Sequence, residues 1–234
     1  MLTNREICLD SETTGLDPYS GDRLIEIGCV ELMDGKKTGE YFHRLVNPGR
    51  EVPEEAVSVH GITTEQLLDK PKFFEIVDEL LEFLKDSPLI VHNSSFDLKF
   101  LNFELEAIGH ARIQNQIIDS LMLAKNKFPG QKNNLDSLCK RYNIDNSKRT
   151  FHGALLDAEL LADVYRELNG GTQKSFSDYG EKIFNSGPMD IDELIRKIRK
   201  KEILPSRNFR VSAEDQKKHD EFMETYVLKT KKKT

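Results

Sequence analysis

The chain has 234 residues, 38% of them hydrophobic, with 13 phenylalanines, no tryptophan and a formal net charge of −6. That is enough apolar material for one sizeable domain with an appendage, and too much for a chain disordered throughout. No run of about 18 apolar residues is present, so no membrane-spanning helix is expected.

The predicted elements follow in chain order. Residues 6–10 form an apolar, strand-like run that ends in a turn with Gly15, Pro18 and Gly21. Residues 24–32 are rich in β-formers, Asp34-Gly35 signals a tight hairpin, and residues 40–46 supply the return strand before Asn47-Pro48-Gly49. These three strands predict an antiparallel meander. Apolar residues at 73, 77, 80 and 84 predict a helix, and residues 89–91 a short buried strand. Leu98, Leu101, Leu105 and Ile108 mark the next helix, stopped by Gly109. Ile117-Ile118 is a fifth strand, followed by helices over 121–128, 135–142 and 154–168. A meander followed by alternating helices and strands predicts an α/β fold, a mixed five-stranded sheet flanked by helices.

Gly170-Gly171 closes that domain, residues 1–171. Residues 172–208 read as a flexible linker, with a short helical stretch before Pro205. Residues 209–234 form a tail. Its helix is opened by Ser212 and carries His219, Phe222, Met223, Tyr226 and Val227 at helical spacing. Charge divides along similar lines. Residues 191–234 hold 13 Lys/Arg and 8 Asp/Glu, a balance of +5; residues 1–190 hold 21 and 32, a balance of −11. So acidic a body is a poor general binder of nucleic acid without cations or a partner, though a merely soluble surface has the same balance. Cys8, Cys29 and Cys139 are odd in number, far apart and set in apolar segments. They read as reduced core residues, and a cytoplasmic protein without a secretory signal is expected.

Chemistry concentrates in three acidic segments. Asp10 and Glu12 are two apart on a strand, so both project from one face. As paired hard oxygen donors they suit Mg²⁺ or Mn²⁺, whereas bare they would be costly in a core. Asp97 falls at the start of its helix, near the packed side; taken alone, an acid favoured by the helix dipole explains it as well. Asp157 lies on the apolar stripe of its helix, between Ala154 and Leu161, where an acid needs a partner. His152 is five residues before Asp157, off that helix face, and reads as a loop residue free to swing over the site. Imidazoles ordinarily titrate near ~6.5, the range for a general base acting on water. Four converging carboxylates repel each other unless cations hold them, the hallmark of a two-metal phosphodiesterase. Asp119 reads as a helix N-cap, and Asp17, Asp22 and Glu26 as structural or surface acids. The loop 60–64 is placed to touch a sugar or terminal base. The loop 146–150, with Lys148 and Arg149, is placed to meet incoming phosphates.

Leu9-Asp10-Ser11-Glu12-Thr13-Thr14-Gly15, Val59-His60-Gly61-Ile62, His92-Asn93-Ser94-Ser95-Phe96-Asp97 and the stretch 145–158 stand in the order seen in one enzyme family. They resemble the 3′–5′ exonucleases that include the proofreading subunits of bacterial replicative polymerases, in the histidine branch. The resemblance spans roughly residues 5–171 and implies a ribonuclease-H-like fold. It also implies that Asp10, Glu12 and Asp157, helped by Asp97, hold two divalent cations (Mg²⁺ or Mn²⁺) about 4 Å apart. His152 would deprotonate the attacking water. Substrate contacts are implied for Asp10, Glu12, Thr13, His60 and Asp157. The implied partners are a frayed or single-stranded DNA 3′ end and, through the tail from Phe209 to Phe222, the polymerase (alpha) subunit. A sliding clamp is a weaker candidate, because Gln173-Lys174-Ser175-Phe176 spaces its Gln and Phe more closely than the usual motif. A third small subunit finds no support in the sequence. Two alternatives remain at this level, a stand-alone RNA 3′-end trimming enzyme and a non-catalytic polymerase scaffold. The linker and tail argue against the first, and the intact set of five site residues against the second.

Overall fold

A computed structural model describes residues 4–147, Arg149, residues 151–170 and Lys217. The expected linker, tail and clamp-binding segment, Lys217 apart, lie outside the described residues.

Strands β1 (Arg5–Thr13), β2 (Leu24–Met33) and β3 (Lys36–Leu45) form the antiparallel meander. β2 turns into β3 through Asp34 and Gly35, whose φ values of 52° and 73° are those of a two-residue hairpin. Helices α1 (Glu54–His60), α2 (Thr64–Leu67) and α3 (Phe73–Leu84) lead to β4 (Leu89–Val91). Then come α4 (Ser94–Ala107), β5 (Ile117–Asp119), α5 (Ser120–Lys127), α6 (Leu135–Tyr142) and α7 (Ala154–Leu168). β4 pairs parallel with β1, and β5 with β4, giving the order β3-β2-β1-β4-β5. This is the expected mixed five-stranded sheet, flanked by helices. α3, α6 and α7 have the bounds that hydrophobic spacing predicts.

Of the expected loop 60–64, Gly61, Ile62 and Thr63 are loop as expected, while His60 is the last residue of α1 and Thr64 the first of α2. α1 has only seven residues and one buried side chain, His60 itself, so no apolar stripe betrays it. Its ends are nonetheless written in the sequence. Glu54 and Glu55 sit in the first turn, and Gly61 closes the helix at φ 73°. Asp119 caps α5 as expected, accepting from the backbone N–H groups of Leu121 and Met122.

Alternation along β1 positions everything that follows. Ile7 and Leu9 enter a core shared with α3 and α4, while Cys8 enters a second core shared with α6 and α7. Asp10 and Glu12 have the parity of Cys8 and so lie on the α7 side. α7 comes close to the sheet because the residues at the contact are small on both sides. Ala154 and Ala158 are fully buried, and Gly28, opposite Asp10 in the β1–β2 register, lies directly under the first turn. A Cβ at Gly28 would sit 2.4 Å from the backbone of Ala154. The three cysteines are free and buried, as expected, and no helix among the described residues is long and apolar enough to cross a membrane.

Gly28→Ala is therefore expected to lift the start of α7 and to destabilise the chain by about 1–3 kcal/mol, as overpacking does. Denaturant unfolding checks this, and an unchanged midpoint would contradict the close approach.

Candidate active site

The site lies where β1 and β4 deliver their carboxyl ends, the usual ligand edge of an α/β sheet. Asp10 and Glu12 occupy the last half of β1. Asp97 sits in the first turn of α4, 3% exposed, and accepts a hydrogen bond from Ser11 Oγ at 2.6 Å. Asp157, also 3% exposed, sits in the first turn of α7. His152 precedes that helix by two residues. Its backbone N–H donates to Val59 O of α1 at 3.1 Å, which ties the loop down. Ligand atoms of Glu12, His152 and Asp157 lie within 4.8 Å of one another, a spacing suited to a shared cation.

Glu26 secures the α7 end of this arrangement. It accepts from the Ala154 N–H at 3.0 Å, satisfying one of the free donors at the helix start, and contacts His43 Nε2 at 2.6 Å. Its expected structural role thus has a geometry. Asp22 is likewise structural. It receives the Asp17 N–H and Arg50, and a Cβ at Gly15 would run into its carboxyl group. Asp17 holds Ser20 and Lys99 at the surface.

Assembling these acids has an electrostatic cost. Burial pushes Glu12 up to about 8, with Asp157, Glu26 and Asp97 adding to the shift. Asp10 is raised well above the usual carboxylate range by burial, then by Asp97, Glu12 and Asp157. Asp97 is raised by burial against the pull of the Ser11 hydroxyl. A set of hard donors, raised in this way and lacking enough positive charge, fits divalent cations. Asp10, Glu12, Asp97 and Asp157 would hold them.

The acids line a cleft of about 890 Å³. Its walls include Leu16, Val59, Phe96 and Leu121, apolar surface of the kind on which a nucleobase stacks. Thr13 and His60, two further candidates, also line it. Both are buried; Thr13 Oγ1 donates to Gly15 O at 2.6 Å, and His60 Nδ1 accepts from the Ile62 N–H at 3.0 Å. Arg149 departs from expectation. It does not face solvent to meet phosphates but turns into the cleft and pairs with Asp157. Its neighbour Lys148 is outside the described residues. His92, which was not singled out alone, borders the cleft and meets Ser120 Oγ at 2.9 Å. The His-Asn pair ahead of Ser94 was the available signal for it.

Comparison with known proteins bears on this geometry. The profile of the Exonuclease family matches residues 7–165. The DNA polymerase III subunit epsilon of Rickettsia felis is 45% identical, over 98% of this chain and 100% of that protein. The same subunit of Escherichia coli K12 is 41% identical, over 90% of each. Among solved structures, the nuclease domain of 3'hExo, a DEDDh family member bound to rAMP, superposes with a TM-score of 0.63. At 20% identity, over 72% of this chain and 94% of that one, this is a likeness of fold.

The raised carboxylates set a pH dependence. They bind protons in the folded chain that the unfolded chain releases, so they favour folding at low pH and penalise it as they ionise. In EDTA the melting temperature is expected to fall from about pH 5 to about pH 8, with a shallower fall in Glu12→Gln. Excess Mg²⁺ should flatten the slope. Melting curves across pH check this, and a rise over the same window in EDTA would contradict it.

Proposed function

This chain belongs to the Exonuclease family, among the DNA polymerase III epsilon subunits, and on that premise we propose which of its residues perform the reaction. The protein is a metal-dependent 3′–5′ exonuclease, the proofreading subunit of a bacterial replicative polymerase. Asp10, Glu12, Asp97 and Asp157 hold two divalent cations, with Mg²⁺ or Mn²⁺ suited to their oxygen donors. When bound, such ions lower the pKa of water and offset the charge of the phosphodiester. The packed elements β1, α4 and α7 fix these carboxylates around the cleft, where the ions would meet the substrate. His152 takes the proton of the attacking water on a ring nitrogen that offers a lone pair. The released product is a nucleoside 5′-monophosphate.

Selectivity follows from access. The terminal base lies along Leu16, Val59 and Phe96, with Thr13 and His60 beside it, and a paired end must fray before it reaches them. A mismatched end frays more readily. The observation that carries this reading is the convergence of Glu12, Asp157 and His152 within 4.8 Å in an acid-rich cleft. The domain plan belongs to the same proposal: catalysis in residues 1–171, a linker over 172–208 and a polymerase-docking tail over 209–234. Contact with the clamp through Gln173-Lys174-Ser175-Phe176 is the weakest part of it. As a polymerase subunit the protein works in the cytoplasm. Stand-alone RNA trimming and a purely structural role are not favoured, because relatives matched over nearly their whole length are polymerase subunits.

Digestion of a 5′-labelled DNA primer, matched or mismatched at its 3′ end, tests the assignment. Shortening is expected with Mg²⁺, faster on the mismatch, absent in EDTA and abolished in Asp10→Ala. That variant should still bind the polymerase subunit. Degradation of an RNA oligomer with DNA untouched would instead favour RNA processing, and full activity in Asp10→Ala would overturn the metal assignment.

A further inference from the structure

Arg149 has no place in the reaction described above, yet it occupies the centre of the site. Its side chain is only 6% exposed. Nε donates to Asp157 Oδ1 and Nη2 to Asp157 Oδ2, both at 2.6 Å. Nη2 also reaches His152 Nδ1 at 2.7 Å, and Nη1 reaches Asp136 Oδ1 at 2.5 Å. It is the one Lys or Arg among the described residues lining the cleft.

Two consequences follow from elementary chemistry. A fork-to-fork pair engages both oxygens of Asp157, the atoms a divalent cation needs. A guanidinium also has donors only, so His152 Nδ1 must accept, and its lone pair is held by Arg149 rather than offered to water. The same side chain therefore covers a metal-binding carboxylate and the ring nitrogen of the base. It also gives Asp157 the counter-charge without which a buried acid is strongly destabilising.

We propose that Arg149 is a positioning residue that stands in for a cation. It holds Asp157 and His152 in the ion-free chain, and a divalent ion arriving at Asp157 displaces it. Loading the site and freeing the Nδ1 lone pair thus become one event. This inference rests on the metal-binding reading of the site.

The test is calorimetric titration of the full-length chain with Mn²⁺, alongside melting curves in EDTA, for wild type, Arg149→Gln and Arg149→Lys. Arg149→Lys is the decisive variant, because it keeps the charge but loses the two-pronged fit. Removing the competing fork is expected to tighten Mn²⁺ binding in Arg149→Lys by severalfold. In Arg149→Gln the gain should be roughly tenfold or more, the size of a charge-assisted hydrogen bond. Both variants should melt below wild type in EDTA, and excess Mn²⁺ should narrow the gap. A residue that merely props up the fold would lower the melting temperature and the Mn²⁺ affinity together. Unchanged or weaker Mn²⁺ binding in Arg149→Lys would overturn the inference while leaving the metal site standing. No Mn²⁺ binding by the wild type would overturn the metal reading and this inference with it.

Discussion

The mutual repulsion of Asp10, Glu12, Asp97 and Asp157 is the constraint on which the rest of this structure depends. They come from three places in the chain, Asp10 and Glu12 on β1, Asp97 on α4 and Asp157 on α7, and each element has its own apolar reason to be there. β1 is buried on both faces up to Leu9, so its register cannot slip without exposing Ile7 or Cys8. β4 is buried throughout and delivers α4, with Asp97 in its first turn. α7 buries nine residues along its length and presses its start onto Gly28. The hydrophobic cores thus do the work of forcing like charges together, and Asp10, Glu12 and Asp97 respond by holding protons that ordinary carboxylates release.

That arrangement links stability to function. A site left short of positive charge favours whatever cation comes to it, and it favours a doubly charged ion over a single guanidinium. Arg149 and Ser11 each moderate a different part of the repulsion, whereas Glu26 adds to it and has a structural task instead. Arg149 neutralises Asp157, Ser11 donates to Asp97, and Glu26 anchors the N-terminus of α7. Leu16, Val59, Phe96 and Leu121 make part of the cleft lining apolar, which suits a base and offers a duplex backbone no cation. An acidic body around such a cleft binds nucleic acid weakly by itself, in keeping with an enzyme that works as one subunit of a larger polymerase.

Much of this was legible in the sequence, and the reasons are physical. Long elements announce themselves by period. The stripe of α3 and the apolar run of β1 marked residues for the core, and the spacing of Asp10 and Glu12 placed both on one face. Asp34-Gly35 dictated its turn because few residue pairs adopt positive φ so readily. α1 was hidden because seven residues with one buried side chain carry no period. Arg149 was read in the wrong direction for a related reason. A loop residue's orientation depends on what it meets in space, here an acid eight positions along on another element, and no local pattern encodes that. Glu26 likewise caps a helix 128 positions away, a contact only the folded sheet creates.

The most direct test of the central claim is anomalous diffraction from crystals of the chain soaked in Mn²⁺ with a nucleoside 5′-monophosphate. Two anomalous peaks between the carboxylates of Asp10, Glu12, Asp97 and Asp157 are expected, with the nucleotide phosphate against them. No peak in the cleft, or peaks only at other acidic groups, would contradict it.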